Sequence, residues 1–595
     1  MTAVQELTAL DRAVDAGTRR LLELQHADGW WVGELESNAT MIAEHLFWLH
    51  FTGLRDPATD RRLATELMAR RRQDGTWSNW FEGPADLSTT IESYVALKMA
   101  GVDAGDRTRE FIQASGGVPK ARVFTKCFLA LLDLWPWQRI PPVPPEIVLL
   151  PPGGPFSIYK LACWARQTVV PLSVVMALRP SRPAGVDLTE IGARPRESRP
   201  AGPPSAIRRR AFDAAEKWVR ARQEADGGWG GIQPPWVWSI VMLAALGYGF
   251  EDEQLRRAVE GWGGFMVDDG ERLRPEACQS PVWDTALAVL GLRACGVPAD
   301  HPQLRKAGEW LLAEEVTVPG DWSVRVPELA PGGWAFEFAN DNYPDVDDAA
   351  VVCLALRELE LGDDAVRRGL GWLVGMQSSD GGWGAFDVDN KAMWLYKIPF
   401  CDFGKVTDEP SADVTAHSLE TLGGLNVHPG AVERGLEWLL AEQEHDGSWF
   451  GRWGVNHIYG TGAALPALEA CGVPHDHPAM RRAVAWLDSV QQPGGGFGED
   501  IRSYADPAWR GRAPFATPSQ TAWALLAYVA AGNAEDSAAR GAADYLCSVQ
   551  GSDGDWREEY FTGTGFPLEF MIRYHLYRIN FPLFALGRLR ERLTG

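Results

Sequence analysis

The hydrophobic positions of the chain repeat with the spacing of an α-helix. In several segments the apolar residues fall at i, i+3, i+4 and i+7, which places them on one helix face. Few stretches alternate between apolar and polar residues, and no series of tight hairpin sequences is present. The pattern therefore predicts an all-α protein built from repeated helix pairs. One such face comprises Met480, Ala483, Val484, Leu487 and Val490.

A short motif, Gln-x-x-x-Gly-x-Trp/Phe, follows several of these helical segments. An Asp-Gly type of turn generally lies between the Gln and the aromatic residue. Because the Gln amide can satisfy free backbone groups at a helix end and the ring can pack over it, the motif predicts a staple between successive helices. The six copies begin at Gln25, Gln223, Gln377, Gln443, Gln491 and Gln550.

The composition and charge of the chain exclude several classes of function. The 27 tryptophans among 595 residues predict a core or a large cavity lined by aromatic rings. The net charge is 57 − 79 = −22, which argues against nucleic acid as a partner. Eight cysteines lie singly, so we expect neither a zinc site nor a disulfide framework. The first residues lack an apolar signal-peptide core, and we expect a cytoplasmic protein.

The densest acidic cluster precedes an apolar helical segment in NDNYPDVDDAAVVCLAL. Carboxylates at a helix start cap its free N–H groups. Three carboxylates within four residues are more than one helix cap needs, and their crowding raises the proton affinity of at least one of the three. Inside a dry aromatic cavity, such an acid would protonate the substrate. Mg²⁺ binding is the competing use, but no established metal motif accompanies the cluster. Its members are Asp341, Asp345, Asp347 and Asp348.

Several motifs together resemble one family over nearly the whole chain, from about Leu10 onward. They are DVDDAA at Asp345–Ala350, IPFCDFG at Ile398–Gly404, DVTAH at Asp413–His417, GRWGVN and IYGTG within Gly451–Gly462, TPSQTAW at Thr517–Trp523 and GTGFP at Gly563–Pro567. With the staples, they are similar to the squalene–hopene cyclases, which are class II terpene cyclases. The resemblance implies two α/α barrels around an apolar cavity. One barrel, over 20–283, would be inserted into the other, formed by 1–19 and 284–595.

The resemblance assigns catalytic roles residue by residue. Asp347 would donate the proton that starts the reaction, and Asp345 and Asp348 would flank it as ionised carboxylates. His417 would hydrogen-bond the donor, because a charged histidine on one carboxyl oxygen makes the proton on the other oxygen more acidic. Further support of the acid would come from Asp413, Asp284 and Tyr459.

The same resemblance implies an aromatic cavity wall, whose ring faces stabilise successive cations without supplying a nucleophile. At the far end of the cavity, Glu44, Glu92 and Arg122 would handle the final cation by deprotonation or water capture. A buried salt bridge that holds the inserted barrel is the alternative interpretation of these three. The expected lining residues are Trp164, Ile232, Gln233, Pro234, Trp283, Phe336, Phe386, Trp453, Phe566, Phe570, Tyr574 and Tyr577.

The resemblance thus implies proton-initiated polycyclisation of a linear polyprene, with squalene to hopene or hopanol as the expected reaction and neither metal nor cofactor required. Leu568, Glu569 and Arg573 differ from the residues expected there, so a shorter or aryl-linked polyprenyl substrate is the alternative. The family's apolar membrane-dipping helix is replaced by the polar segment Arg179–Pro204. Peripheral contact with the inner face of the cell membrane therefore stays open, as does a homodimer.

Two other classes of function remain as alternatives. An α/α-barrel glycoside hydrolase would use a carboxylate pair as acid and base, with tryptophans as platforms for sugars. It would be secreted, which the expected cytoplasmic location disfavours. A non-catalytic helical repeat scaffold would leave the set of Asp, His and Tyr residues unexplained.

Overall fold

The computed structural model describes residues 3–400 and 404–594, so Cys401, Asp402 and Phe403 of the motif at Ile398–Gly404 lie outside the described residues. The described backbone is mostly helical, as predicted. In chain order the α-helices are α1 (Ala3–Glu23), α2 (Thr40–Thr52), α3 (Pro57–Ala69), α4 (Leu87–Met99), α5 (Asp106–Ala114), α6 (Val123–Leu131), α7 (Cys163–Leu178), α8 (Ala206–Arg220), α9 (Gln233–Ala245), α10 (Glu253–Gly261), α11 (Pro281–Ala294), α12 (Pro302–Ala313), α13 (Val346–Glu358), α14 (Asp363–Gly375), α15 (Ala412–Gly424), α16 (Pro429–Ala441), α17 (His457–Ala470), α18 (Pro478–Val490), α19 (Pro518–Ala530), α20 (Ser537–Val549) and α21 (Tyr577–Thr594).

The helices pack around two hydrophobic cores. The first core collects buried side chains from residues 39–273, and the second collects them from residues 10–35 and 277–589. Four side chains from the second half of the chain also join the first core, namely Tyr343, Leu395, Phe400 and Val406. The architecture agrees with the expected double α/α barrel, while the exact domain bounds stay a prediction.

The second core has the layered arrangement of an α/α barrel. Contacts link α11 to α13, α13 to α15, α15 to α17, α17 to α19 and α19 to α21, and α21 returns to α11. These six helices therefore form a closed inner ring. Helices α12, α14, α16, α18, α20 and α1 pack against them as an outer layer. In the first core, α2, α4, α6, α7 and α9 are largely buried.

The staples join the outer helices, as the motif predicts. In the copy that starts at Gln443, the amide nitrogen donates to the Gly447 carbonyl at 2.8 Å and to the Ala479 carbonyl, near the start of α18, at 2.9 Å. The Trp449 indole N–H donates to the Leu439 carbonyl of α16 at 2.8 Å. Gly447 has φ of +103°, and a Cβ there would lie 2.5 Å from the Arg482 carbonyl oxygen, so only glycine suits this turn.

Five short strands complete the described secondary structure. A three-stranded antiparallel sheet has the order β1-β5-β4, with Leu35 opposite Tyr574 and Gly563 opposite Ile572. Its β4–β5 hairpin brings aromatic side chains to the cavity wall. The other two strands pair with each other. The strands are β1 (Leu35–Glu36), β2 (Met266–Asp268), β3 (Leu273–Pro275), β4 (Gly563–Phe566) and β5 (Phe570–Tyr574).

Within residues 3–400 and 404–594, no helix is both long and apolar enough for a membrane crossing.

The proline-rich stretch between α6 and α7 forms 3-10 turns, at Trp137–Arg139, Pro145–Leu149 and Ile158–Lys160, in place of a helix. This is the consequence expected of closely spaced prolines.

Candidate active site

An apolar cavity is lined by residues of both cores, and an apolar lining with a few polar groups is typical of a small-molecule site. Ten of the twelve expected lining residues face it. Of the other two, Pro234 lines an adjoining cavity at the far end, and the Gln233 amide donates to the Glu44 carboxylate at 2.9 Å. The ten residues are Trp164, Ile232, Trp283, Phe336, Phe386, Trp453, Phe566, Phe570, Tyr574 and Tyr577.

The acidic cluster lies at the start of α13, where three carboxyl groups border the cavity. Asp345 is the N-cap residue, and its side chain accepts the Asp347 backbone N–H at 2.7 Å. The helix-capping interpretation therefore applies to Asp345. Asp347 and Asp348 follow in the first turn and also line the cavity. The helix start thus brings three carboxyls to one wall of the cavity.

His417 on α15 contacts the central acid. Its Nδ1 lies 2.7 Å from Oδ1 of Asp347, although the two residues are 70 positions apart. Burial is the largest single influence and lowers the pKa of His417, but Asp347, Glu420 and Asp413 together outweigh it, and the pKa rises to about 9. His417 is therefore an imidazolium near pH 7 and donates its Nδ1–H to Asp347.

The flanking acids, Asp345 and Asp348, are buried and crowded together. Burial, first, and the crowding of neighbouring carboxyls, second, hold the pKa of Asp345 and of Asp348 well above the usual range. Neither oxygen of Asp348 has a hydrogen-bond partner among the described residues. These effects disfavour the charged forms relative to a free carboxylate. The ionised state that the resemblance implies for the two flanking acids stays a prediction.

Asp413 acts on the backbone beside the cavity. Its Oδ2 accepts the N–H groups of Arg452 and Trp453 at 2.8 and 2.7 Å. These bonds hold the loop that presents the Trp453 ring to the cavity. Asp413 lies one helical turn before His417 on α15, as expected.

Asp284 lies near Asp348, and Tyr459 lies near His417 and Asp347. Asp284 accepts the Gly33 N–H and the Ser280 hydroxyl, each at 2.9 Å, and burial raises its pKa to about 7. It therefore ties the segment before β1 to α11. The Tyr459 ring packs edge-on to the His417 ring, with centroids 6.3 Å apart.

The far end of the cavity carries the other expected set. Glu44, Glu92 and Arg122 line an adjoining cavity, which shares Trp164, Ile232, Phe566 and Phe570 with the first. Burial raises the pKa of Glu92 to about 7 and that of Glu44 well above its usual range. The ion pairs of Arg122 go instead to Asp86 and Glu569.

Several residues near the cavity were not identified from the sequence. Glu337 lines the cavity and accepts the Asn340 amide at 3.0 Å, and burial raises its pKa to about 8. Arg166 on α7 is fully buried between Asp321, at 2.7 Å, and Asp387, at 2.9 Å. These ion pairs connect the two cores. No short-range pattern marks Arg166, because its partners are 155 and 221 positions away.

Two family models match this chain, and the boundary between them falls near the boundary between the two hydrophobic cores. The models of the squalene-hopene cyclase N-terminal domain and C-terminal domain match residues 14–204 and 199–271, and residues 279–591, respectively. The squalene--hopene cyclase of Alicyclobacillus acidocaldarius is 45% identical over 99% of both chains. The enzyme of the same name from Zymomonas mobilis is 39% identical over 97% of this chain and 95% of its own.

Two further proteins, one similar in sequence and one similar in structure, also match nearly the whole chain. The dammaradiene synthase of Dryopteris crassirhizoma is 38% identical over 98% of this chain and 94% of its own. The solved structure of ent-copalyl diphosphate synthase from Streptomyces platensis covers 97% of this chain and 99% of its own, with a TM-score of 0.54 and 16% identity, which supports the fold alone. Neither the hydrolase nor the scaffold alternative agrees with these matches. The chain belongs to the squalene–hopene cyclase family and is a class II terpene cyclase.

Proposed function

We propose that the protein converts squalene to hopene or hopanol, with Asp347 as the proton donor. One observation carries the proposal: Asp347, bonded to the imidazolium of His417, lies at the wall of an apolar, aromatic cavity. The relatives named as squalene--hopene cyclases, at 38–45% identity over nearly the whole chain, support squalene as the substrate.

The first step transfers one proton. The π electrons of a terminal double bond form a C–H bond with the acid proton of Asp347, and the neighbouring carbon becomes cationic. Asp347 is left as a carboxylate that the His417 imidazolium stabilises. The negative charge therefore develops on a group to which the His417 Nδ1–H already donates a hydrogen bond. An alkene is a weak base, and an acid strengthened in this way suits it.

The later steps depend on the cavity wall. Each new ring forms when a further double bond attacks the cation, and the positive charge moves along the chain. The rings of Trp164, Phe386 and Trp453 meet edge to face with centroids 5.8–6.3 Å apart. Tyr574 and Tyr577 stack at 4.1 Å. Such ring faces stabilise a cation by about 0.5–2 kcal/mol each. They are poor nucleophiles, so they do not capture the cation before the last ring has formed.

The test uses squalene and three proteins. Wild type, Asp347→Asn and Asp363→Asn are incubated with squalene in detergent, and the extracts are analysed by gas chromatography and mass spectrometry. Asp363 lies in the first turn of α14, largely exposed, and so controls for loss of an acid at a helix start. We expect pentacyclic product from wild type and Asp363→Asn, and a loss of roughly 10²–10⁴-fold in Asp347→Asn. Full activity in a folded Asp347→Asn protein would refute the role of Asp347.

We also propose that the protein contacts a membrane peripherally, through one apolar surface. Squalene partitions into lipid, so the enzyme must take it from there. Phe156 packs edge-on against Trp394 with centroids 5.5 Å apart, and α8 packs on the 3-10 turn Pro145–Leu149. The exposed apolar side chains of this surface, each 37–66% exposed, are Leu149, Leu150, Phe156, Ile207, Met393, Trp394 and Ile398.

Sedimentation with phosphatidylcholine vesicles tests the membrane contact. The double variant Phe156→Ser/Trp394→Ser should lose most of its vesicle binding. Val549→Ser should retain it, because Val549 is an exposed residue at the end of α20, which packs on α19 and α1. Equal binding by all three proteins would contradict the proposal. A homodimer stays a prediction.

A further inference from the structure

The turn between β4 and β5 meets the far end of the cavity through one ion pair. Nη1 of Arg122 lies 2.6 Å from Oε2 of Glu569. Arg122 is the residue before α6 and belongs to the first half of the chain, whereas Glu569 is 447 positions later. The turn is held further by Asn38, whose amide donates to the Glu569 carbonyl at 3.4 Å, and by Asn79, which donates to the Leu568 carbonyl at 3.2 Å.

The ion pair lies where the far end of the cavity approaches the surface. Both of its residues line the adjoining cavity together with Glu44 and Glu92. Glu92 is 2% exposed, whereas the side chains of Arg122 and Glu569 are 22% and 37% exposed. This gradient runs from the cavity interior outward and ends at the Glu569 carboxylate. Of the acids that line this cavity, Glu569 is therefore the most exposed to solvent.

We propose that the Arg122–Glu569 ion pair closes the far end of the cavity and so controls the entry of water to the final cation. Glu569 is then a specificity-determining residue, which acts by holding Arg122 across the opening. The second partner of Arg122 is Asp86, at the longer distance of 3.4 Å. Without Glu569, the guanidinium turns toward Asp86 and the opening widens. This inference rests on the proposed cyclisation.

Water access decides between two balanced reactions of the same cation. In one, a C–H bond next to the cationic carbon breaks, its electron pair forms a C=C bond, and the proton passes to a base at the cavity end, which gives the alkene. In the other, a water oxygen forms a C–O bond to the cationic carbon and then loses a proton, which gives the alcohol. A closed cavity end favours the alkene, and an open one favours the alcohol.

The experiment measures the ratio of alcohol to alkene from squalene in H₂¹⁸O, by gas chromatography and mass spectrometry. Glu569→Gln removes the charge and Glu569→Ala removes the side chain, and we expect each to raise the ratio at least threefold, with ¹⁸O in the alcohol. Glu569→Asp keeps the carboxylate and should restore a ratio nearer to wild type. A mere loss of stability would lower total product without changing the ratio.

Arg573→Gln is the matched control. Arg573 lies on the same hairpin and pairs with Glu36 at 3.1 Å, with both side chains about one-fifth exposed, but neither residue lines the two cavities. The inference is overturned if Glu569→Ala keeps the wild-type ratio, or if Arg573→Gln shifts the ratio equally. If wild type forms no cyclic product from squalene, the proposed function fails first, and the inference fails with it.

Discussion

Replacing His417 by Gln isolates the charge that strengthens the acid. Gln still offers an N–H donor to Asp347, but it carries no positive charge at any pH. In the wild-type protein, the rise of the His417 pKa from 6.5 to about 9 corresponds to about 3 kcal/mol of coupling to the nearby carboxylates. Both partners are well buried, with side chains 15% and 11% exposed, so solvent screens this coupling little.

Asp347 is the largest of these partners, and its share of the coupling acts on Asp347 as well, because a favourable interaction between two groups is reciprocal. Loss of up to about 3 kcal/mol from the stabilised carboxylate predicts a fall in kcat of up to roughly 100-fold. KM should change little, since the cavity wall that binds the polyprene is intact. The assay is cyclisation of squalene over a range of concentrations, with product measured by gas chromatography.

His457→Gln is the matched control for this variant. His457 is a buried histidine on α17 that pairs with Glu499 at 3.1 Å, outside both cavities. It should keep wild-type kcat. If folded His417→Gln loses less than threefold in kcat, or if His457→Gln loses as much, the imidazolium does not strengthen the acid and the reasoning is refuted.

Three further predictions concern pH, a staple and a strained turn. The folded-state pKa of His417 exceeds its ordinary value, so the stability that its pairing contributes is complete below about pH 6.5 and is lost as pH rises through about 9. Turnover should fall over the same alkaline range, and an unchanged pH–rate profile in His417→Gln would contradict this. Gln443→Ala removes three hydrogen bonds, two that its amide donates and one that it accepts from Arg482, and should cost about 1–3 kcal/mol in urea unfolding, with the same products. Leu568 has φ of +70°, so Leu568→Gly relieves backbone strain of about 1–3 kcal/mol. That relief offsets the lost packing, and the melting temperature should stay near that of wild type.

What the sequence predicts well is local. The helix faces, the staples and the crowded helix start of α13 each arise within a few residues, so spacing alone identifies them. The pairing of His417 with Asp347 spans 70 positions and came from the family resemblance. The raised pKa of Asp345 and Asp348 has no purely local signal, because burial by distant helices is its largest cause. Arg166 was missed for the same reason, since its partners are 155 and 221 positions away.

The last staple has a consequence for how the chain folds during synthesis. The amide of Gln550 donates to the Ala13 carbonyl at 3.0 Å, across 537 positions, and α1 packs against α20 and α21. At roughly 5–20 residues per second, a ribosome needs about half a minute to two minutes to make the intervening chain. During that interval the apolar face of α1, with Leu10, Val14 and Leu21, has no final partner. Helix α1 is thus made long before the helices on which it docks, and chaperone binding to this face during translation would protect the nascent chain from aggregation.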